Sequence, residues 1–547
     1  MTALGLVPLQ LATFATALSL LIIPIVWRFA PRWGLVDLPD SRKVHSIPVP
    51  RVGGWGITLG ALVPLIVWGE LDGALVGYVL GCLILFLFGI WDDSKDISHW
   101  AKFIGQIVAS SAVVYGGGLY VSRIPFFDTD ALAPYIGQPF TILALVGVIN
   151  AINHADGLDG LAAGESLLSL IGLLVLGYQV ESAPVVAVTL AVLGGILGFL
   201  RYNSYPARVF MGDAGSQVLG LTLGVLAIYL TQRADTAVSA VTPLLVIGVP
   251  IIDILSVLFL RIRSGANWFK ASRNHLHHRL LDLGLSHFQA VIVVYSAQAA
   301  FVLAAILLRY NTDWNVCTIY VLLAGSMLLS LTVLERRKWH LLRPASANDE
   351  LERGTGFTPQ RKARIARGLI MVGAPGFMLF AASWSTQVPR ELGLITCFLG
   401  ALLVLDLLLV LPAHTLILRV IGYVAAIASA YLMGGYQGHG TSALVVGTVI
   451  VILTLTLIVA IAVYAHSASR DGFGATPTDY LFILVLVALL ALAFIDVNAR
   501  SAVQLYVYTV VLLYGCEIVL GRGVSRSSPF AFCTLVTLSV MAFRGLA

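Results

Sequence analysis

Apolar runs close to the ~20 residues needed to cross the hydrocarbon core of a bilayer recur about eighteen times along this chain. They lie at 5–28, 52–69, 74–90, 101–121, 138–152, 161–179, 184–200, 214–231, 238–260, 287–309 and 314–334, then at 367–385, 391–411, 413–434, 443–466, 478–497, 501–520 and 528–545. With 59% hydrophobic and 11% charged residues among 547, a soluble globular class is excluded. Only helices or closed barrels satisfy their backbone in lipid, and runs of this length are helical. The expected fold is all-α: a polytopic integral membrane helical bundle, with about eleven transmembrane helices in the first half and about seven in the second.

Lys and Arg set the expected orientation. With the N-terminus outside, Arg28, Arg32, Arg42, Lys43, Arg51, Lys95, Lys102, Arg201, Arg208, Arg261, Arg263, Lys270, Arg273, Arg279 and the basic residues of 336–367 fall on the cytoplasmic side. Arg123, Arg233 and Arg309 fall on the other. The net charge of +5 therefore reports topology and gives no support to nucleic-acid binding. Cys82, Cys317, Cys397, Cys516 and Cys533 all sit inside expected spans, so no disulfide framework or zinc ribbon is indicated. The first run lacks a basic leader and a small-residue cleavage pattern, and is read as a retained span. The polar, charged stretch 336–366 reads as a cytoplasmic linker between a domain at 1–335 and an accessory transmembrane domain of unknown role at 367–547. Every polar cluster with chemical content precedes the linker.

Five such clusters share the expected cytoplasmic side. The first, WDDSKD at 91–96, is followed by Lys102 and Gln106; its adjacent Asp92 and Asp93 need a metal, a cation or a shared proton, unless they are simply interfacial charges. In the second, NAINHADGLDG at 150–160, one more helical turn would align Asn150, Asn153, Asp156 and Asp159 in a stripe suited to a hard cation or a charged head group. A polar helix end capping itself in water is the alternative. The third, RVFMGDAGS at 208–216, opens a helix whose first amides are expected to be available to phosphate, with Asp213 either at a metal-bound phosphate or capping the helix. In the fourth, HLHHR at 275–279, the histidines beside Arg279 suit an anion better than zinc, with a solvated loop as the third reading. The fifth is the basic loop ending in Arg51, where Gly53 and Gly54 allow close approach to neighbouring loops.

WDDSKD, NHADGLDG, RVFMGDAGS and HLHH, in this order over residues 1–335, resemble the polyprenyl-phosphate N-acetylhexosamine-1-phosphate transferases. The resemblance implies transfer of a sugar 1-phosphate, N-acetylglucosamine 1-phosphate in the nearest branch, from a UDP-sugar to undecaprenyl or another polyprenyl phosphate. UMP leaves, Mg²⁺ is the cofactor with Mn²⁺ as substitute, and the site faces the cytoplasm of the inner (plasma) membrane, where cell-envelope glycan synthesis starts. By position, Asp213 and Asn153 correspond to the metal ligands, Phe210 to the aromatic on uracil, Asp159 to a uridine-recognising residue and Lys102 to a phosphate contact. Asp92, Asp93, Asp156, Asp213 and His278 form the expected catalytic set; Arg51, His275, His277 and Arg279 join the expected substrate contacts. One of Asp92 and Asp93 is implied as the base on the lipid phosphate. Ser272 stands where the N-acetylglucosamine branch often has Asp. Expected partners are a UDP-N-acetylhexosamine, the polyprenyl phosphate and the bilayer, with a homodimer as one assembly. The rival readings are another UDP-N-acetylhexosamine as donor, a secondary transporter, against which the one-sided acids speak, and a non-catalytic scaffold for polysaccharide assembly.

Overall fold

A computed structural model of the chain describes residues 7–39, 48–70, 72–123, 125–126, 132–233, 237–265, 274–337, 359–385, 387–409, 414–434, 440–467, 499–520 and 529–547. The expected span 478–497, most of the expected linker and Ser272 lie outside these residues. The described chain is overwhelmingly helical, and nine of its helices are long and apolar enough to cross a membrane, with several shorter apolar ones beside them. It is a multi-pass membrane protein of the all-α class. Its described residues form two compact units, one up to residue 337 and the other from 359.

In the first unit, α1 (Val7–Phe29) leads to a two-residue antiparallel ribbon, β1 (Val36–Asp37) and β2 (Val49–Pro50). There follow α2 (Gly53–Trp68), α3 (Gly73–Lys95), α4 (His99–Ser111) with a π-helical turn to Gly116, α5 (Pro134–Ala155), α6 (Leu161–Gln179), α7 (Ala183–Asn203) and α8 (Asp213–Gln232). Helix α8 is apolar all round and buried from Ala214 to Thr231, so it is the axis of the unit. α2, α3, α5 and α6 pack on it. Small residues set how closely they come. A Cβ added at Gly89 of α3 would lie 2.4 Å from Ala214 N, so α3 meets the first turn of α8 backbone to backbone.

The run 238–260, expected as one span, is broken into α9 (Thr242–Val246) and α10 (Gly248–Ser264). Pro243, Gly248 and Pro250 weaken the helix there. Groups freed inside an apolar bundle must be satisfied locally, and buried Gln298 does so: Oε1 accepts from Val249 N at 3.0 Å, and Nε2 donates to Val246 O at 2.7 Å and Ser169 Oγ at 2.9 Å. Gln298 stands on α12 (His287–Leu307), which opens with a Ser286–Gln289 capping box. Between α10 and α12 lies the short α11 (Leu276–Asp282); α13 (Asp313–Arg336) closes the unit.

The second unit contains α14 (Pro359–Trp384), α15 (Arg390–Leu409), α16 (His414–Gly434), α17 (Gly440–Ser467), α18 (Ala499–Leu520) and α19 (Pro529–Leu546). Arginines tie its helix ends together. Arg544 donates to Ala382 O, Ser383 O and Ser385 O at 2.6 to 2.9 Å, meeting carbonyls that the end of α14 leaves unpaired. By spacing, Asp406 and Arg419, placed about evenly on either side of residues 411–413, invite an ion pair; the structure gives Arg419 Nη2 the Leu520 carbonyl at 3.1 Å, another helix-end acceptor.

Candidate active site at one end of the first unit

Three helix ends converge: the C-terminal turn of α3, the N-terminal turn of α8 and the C-terminal turn of α5. Lys102, one turn into α4, bridges the first two, and Asn153 joins the third to Asp213. The Lys102 Nζ lies 2.6 Å from Asp92 Oδ2 and 3.0 Å from Asp213 Oδ2. Asn153 Nδ2 donates to Asp213 Oδ1 at 3.0 Å and to Ser216 Oγ at 2.8 Å. A run of amides continues into the bundle, Gln217 donating to Asp213 Oδ2 at 3.0 Å and Asn150 to Gln106 Oε1 at 2.7 Å. Asp213 is thus aimed at Lys102 and Asn153, and caps nothing.

The two adjacent aspartates have different jobs. Asp92, 3% exposed, faces Lys102 and accepts from Ile97 N at 3.0 Å. Asp93 accepts from Asp213 N at 2.9 Å and Ala214 N at 3.2 Å. The amides expected to await a phosphate at the start of α8 are therefore occupied, because a carboxylate from α3 reaches the positive end of α8 first. Asp93 is a buried cap, and of the two only Asp92 faces the cluster around Lys102.

The stripe expected along 150–159 stops early. α5 ends at Ala155 because Asp156 leaves helical geometry at φ −77°, ψ 58°, so Asn150 and Asn153 share a face and Asp159 does not. Asp159 instead accepts from Ala207 N at 2.9 Å and its own amide donates to His287 Nε2 at 3.1 Å. Burial, then the charges of Asp213 and Asp159, pushes the Asp156 carboxyl up to about 7. Left-handed Gly160 starts α6, its amide on Asn203 Oδ1 and its carbonyl on Tyr295 OH.

Phe210 and Arg51 are brought side by side by backbone pairing. Phe210 N donates to Pro50 O at 2.8 Å and Phe210 O accepts from Gly53 N at 2.9 Å. The Arg51 guanidinium pairs with Asp37 and lies 3.5 Å from Asp96. On α11, the His275 and His277 rings stack with centroids 5.9 Å apart, and the His278 ring lies tilted against His277 at 4.3 Å. His277 rests on the loop after α5, where a Cβ at Gly157 would lie 2.1 Å from its Nε2. Burial, then neighbouring His278, pushes His277 down to about 3, so it is neutral near pH 7 and could meet an anion only as a hydrogen-bond donor. Arg279 was expected on substrate; here Nε and Nη2 both bond Glu335, at 2.7 Å each, which makes it a strut for α11.

The profile of glycosyl transferase family 4 matches residues 75–231, which run from α3 through α8. A probable undecaprenyl-phosphate N-acetylglucosaminyl 1-phosphate transferase of Bacillus subtilis is 35% identical over 312 residues, 56% of this chain and 87% of that protein. The chain belongs to this family, the polyprenyl-phosphate sugar-1-phosphate transferases. Other relatives include the decaprenyl-phosphate N-acetylglucosaminephosphotransferase of Mycolicibacterium smegmatis, 33% identical over 49% of this chain and 73% of its own length. An undecaprenyl-phosphate alpha-N-acetylglucosaminyl 1-phosphate transferase of Escherichia coli K12 is 28% identical over 54% of this chain and 83% of its own. The matched stretch of the family profile holds Asp92, Asp93, Lys102, Asn153, Asp156, Asp159, Phe210 and Asp213.

The donor set of this family member suits a hard divalent cation. Asp92, Asp213 and Asn153 offer oxygens, and two carboxylates face one ammonium. Turning the Asn153 amide by 180° would aim its oxygen at Asp213, an arrangement that needs a cation between them. Among the described residues no group of three or more His, Cys, Asp or Glu is set to hold a metal, so most of the coordination would fall to substrate and water oxygens. Asp253, Glu335 and Gln217 were not foreseen as parts of this region. A lone acid in an apolar run, as Asp253 is, was the available signal.

Proposed function

We propose that the protein transfers N-acetylglucosamine 1-phosphate from UDP-N-acetylglucosamine to polyprenyl phosphate, releasing UMP, at the cytoplasmic face of the plasma membrane. The observation that carries this reading is Lys102 held between Asp92 and Asp213 with Asn153 behind, at the membrane-end turns of α3, α5 and α8. The Lys and Arg distribution supports the cytoplasmic face.

In this reading an oxygen of the lipid phosphate attacks the β-phosphorus of the UDP-sugar. A new P–O bond forms between the lipid phosphate and the β-phosphorus, the bond from the β-phosphorus to the bridging oxygen breaks, and UMP leaves carrying the bridging oxygen on its α-phosphate. A phosphate monoester has its second pKa near about 6, so the acceptor is largely dianionic at neutral pH and needs little help from a base. The work left to the protein is positioning and charge compensation. An ammonium has three N–H groups; Lys102 directs two at Asp92 and Asp213 and keeps one for a phosphate oxygen. Asp92 holds Lys102 in place. Asp213 and Asn153 would hold Mg²⁺, or Mn²⁺ in its stead, which neutralises diphosphate charge when bound. Phe210 offers its ring to uracil, and Asp159 keeps one carboxylate oxygen beyond its bond to Ala207 for the uridine. His275 and His278 complete the diphosphate or sugar contacts.

The test uses purified protein in detergent with polyprenyl phosphate and a panel of UDP-sugars, reading UMP and the lipid product. UMP and lipid-linked product with UDP-N-acetylglucosamine are expected. UMP release with a different N-acetylhexosamine donor alone would correct the sugar, and none with any donor would overturn the reaction.

A further inference from the structure

From Gly248 to Leu260, α10 is apolar apart from Ser256 and one acid, Asp253, which is 6% exposed. An ionisable side chain in such a helix is costly and needs partners. Both oxygens of Asp253 face the start of α11. Oδ2 lies 2.8 Å from His275 Nδ1, and Oδ1 accepts from Leu276 N at 2.6 Å. His275 occupies the N-cap position of α11 at φ −66°, ψ 149°, yet its side chain makes no capping bond. Asp253 supplies from another helix what that side chain does not.

α11 has seven residues, too few to hold its own shape. It is fastened at its start, by Asp253 at His275 and Leu276, and at its middle, by Glu335 at Arg279. From the first fastening the contacts lead into the site. The His275 ring stacks on His154 with centroids 5.3 Å apart, and the next ring, His277, rests on Gly157. With Nδ1–H given to the carboxylate, His275 keeps Nε2 for a ligand.

We propose that Asp253 is a positioning residue for the transfer reaction: it fixes the His275 ring and the first turn of α11, and so sets the histidine face against the Asn153–Gly160 segment. The inference rests on the transferase reading given above, and on nothing that Asp253 does to substrate directly.

Two measurements on the full-length protein in detergent test it. In hydrogen exchange followed by mass spectrometry, Asp253→Asn should speed exchange of Leu276–Asp282 about tenfold or more; unchanged exchange overturns the anchor. In UMP release, Asp253→Asn and His275→Ala should each lower kcat/KM by about 10–100-fold, the range seen when a metal-bound histidine loses the partner that orients it. The double variant should be no worse than the poorer single, whereas multiplying losses would mean that Asp253 does not act through His275. If the Asn variant does not accumulate, Asp253→Glu, which keeps the charge but displaces it, enters the same cycle with the same two outcomes. A wild-type protein that releases no UMP overturns the reading of the reaction, a failure distinguishable from that of the anchor because exchange is read without substrate.

Discussion

Asp93, on α3, caps α8 by accepting the backbone amide of Asp213 at 2.9 Å. The two halves of the paired-aspartate motif should therefore fail differently. Asp93→Ala strands two buried amides, at about 1–3 kcal/mol each, and should lower the melting temperature in detergent. Asp92→Ala should abolish turnover with a smaller loss of stability. Equal melting temperatures for the two variants would refute the division of labour.

Asp213→Ala removes the carboxylate that Lys102, Asn153 and Gln217 all address. UMP release should fall to background while the protein stays folded by gel filtration. Chelation of divalent cations should do the same to the wild type, with recovery on adding Mg²⁺. Turnover by the Ala variant at the wild-type rate would remove the site.

Phe210→Ala should chiefly weaken nucleotide binding. Stacking of a base on an aromatic ring contributes about 1–3 kcal/mol, so KM for the UDP-sugar should rise about tenfold or more with kcat less affected. An unchanged KM would detach Phe210 from the nucleotide.

Asp156 carries a pH signature. Its folded-state carboxyl is raised to about 7, chiefly by burial, against an unfolded value near about 4. A raised carboxyl leaves stability intact below the unfolded value, erodes it as pH climbs between the two, and holds it down above the folded value. Asp156→Asn should therefore raise the melting temperature at pH 8 and change it little at pH 4. A gain confined to low pH would contradict the burial of this group.

Gly157→Ala places a methyl group where the His277 ring lies. Overpacking of this kind costs about 1–3 kcal/mol, and here it should be relieved by displacing α11, lowering kcat/KM about tenfold. Wild-type kinetics in this variant would show that the histidine face need not touch the loop.

The bundle and the order of its motifs were legible because span length and clustered acids are local signals, readable residue by residue. What stayed hidden depends on pairs far apart in the chain. That Asp93 reaches the start of α8 before any phosphate follows from the close approach of Gly89 to Ala214, which no stretch of either helix announces. The early end of α5 turned Asp159 away because one residue, Asp156, left helical geometry. Arg279 looked like an anion contact until Glu335, more than fifty positions later, came to face it. The break at Ile247 was marked by Pro243, Gly248 and Pro250, but the glutamine that makes the break tolerable lies on α12.

Gln298 and the break between α9 and α10 depend on each other. A sequence that healed the break would leave the glutamine amide without its two backbone partners, and one that lost the glutamine would leave Val246 O and Val249 N facing hydrocarbon. Either change alone strands buried polar groups at about 1–3 kcal/mol each, so the kink and the glutamine stabilise one another and together hold α10, and with it Asp253, at its present angle.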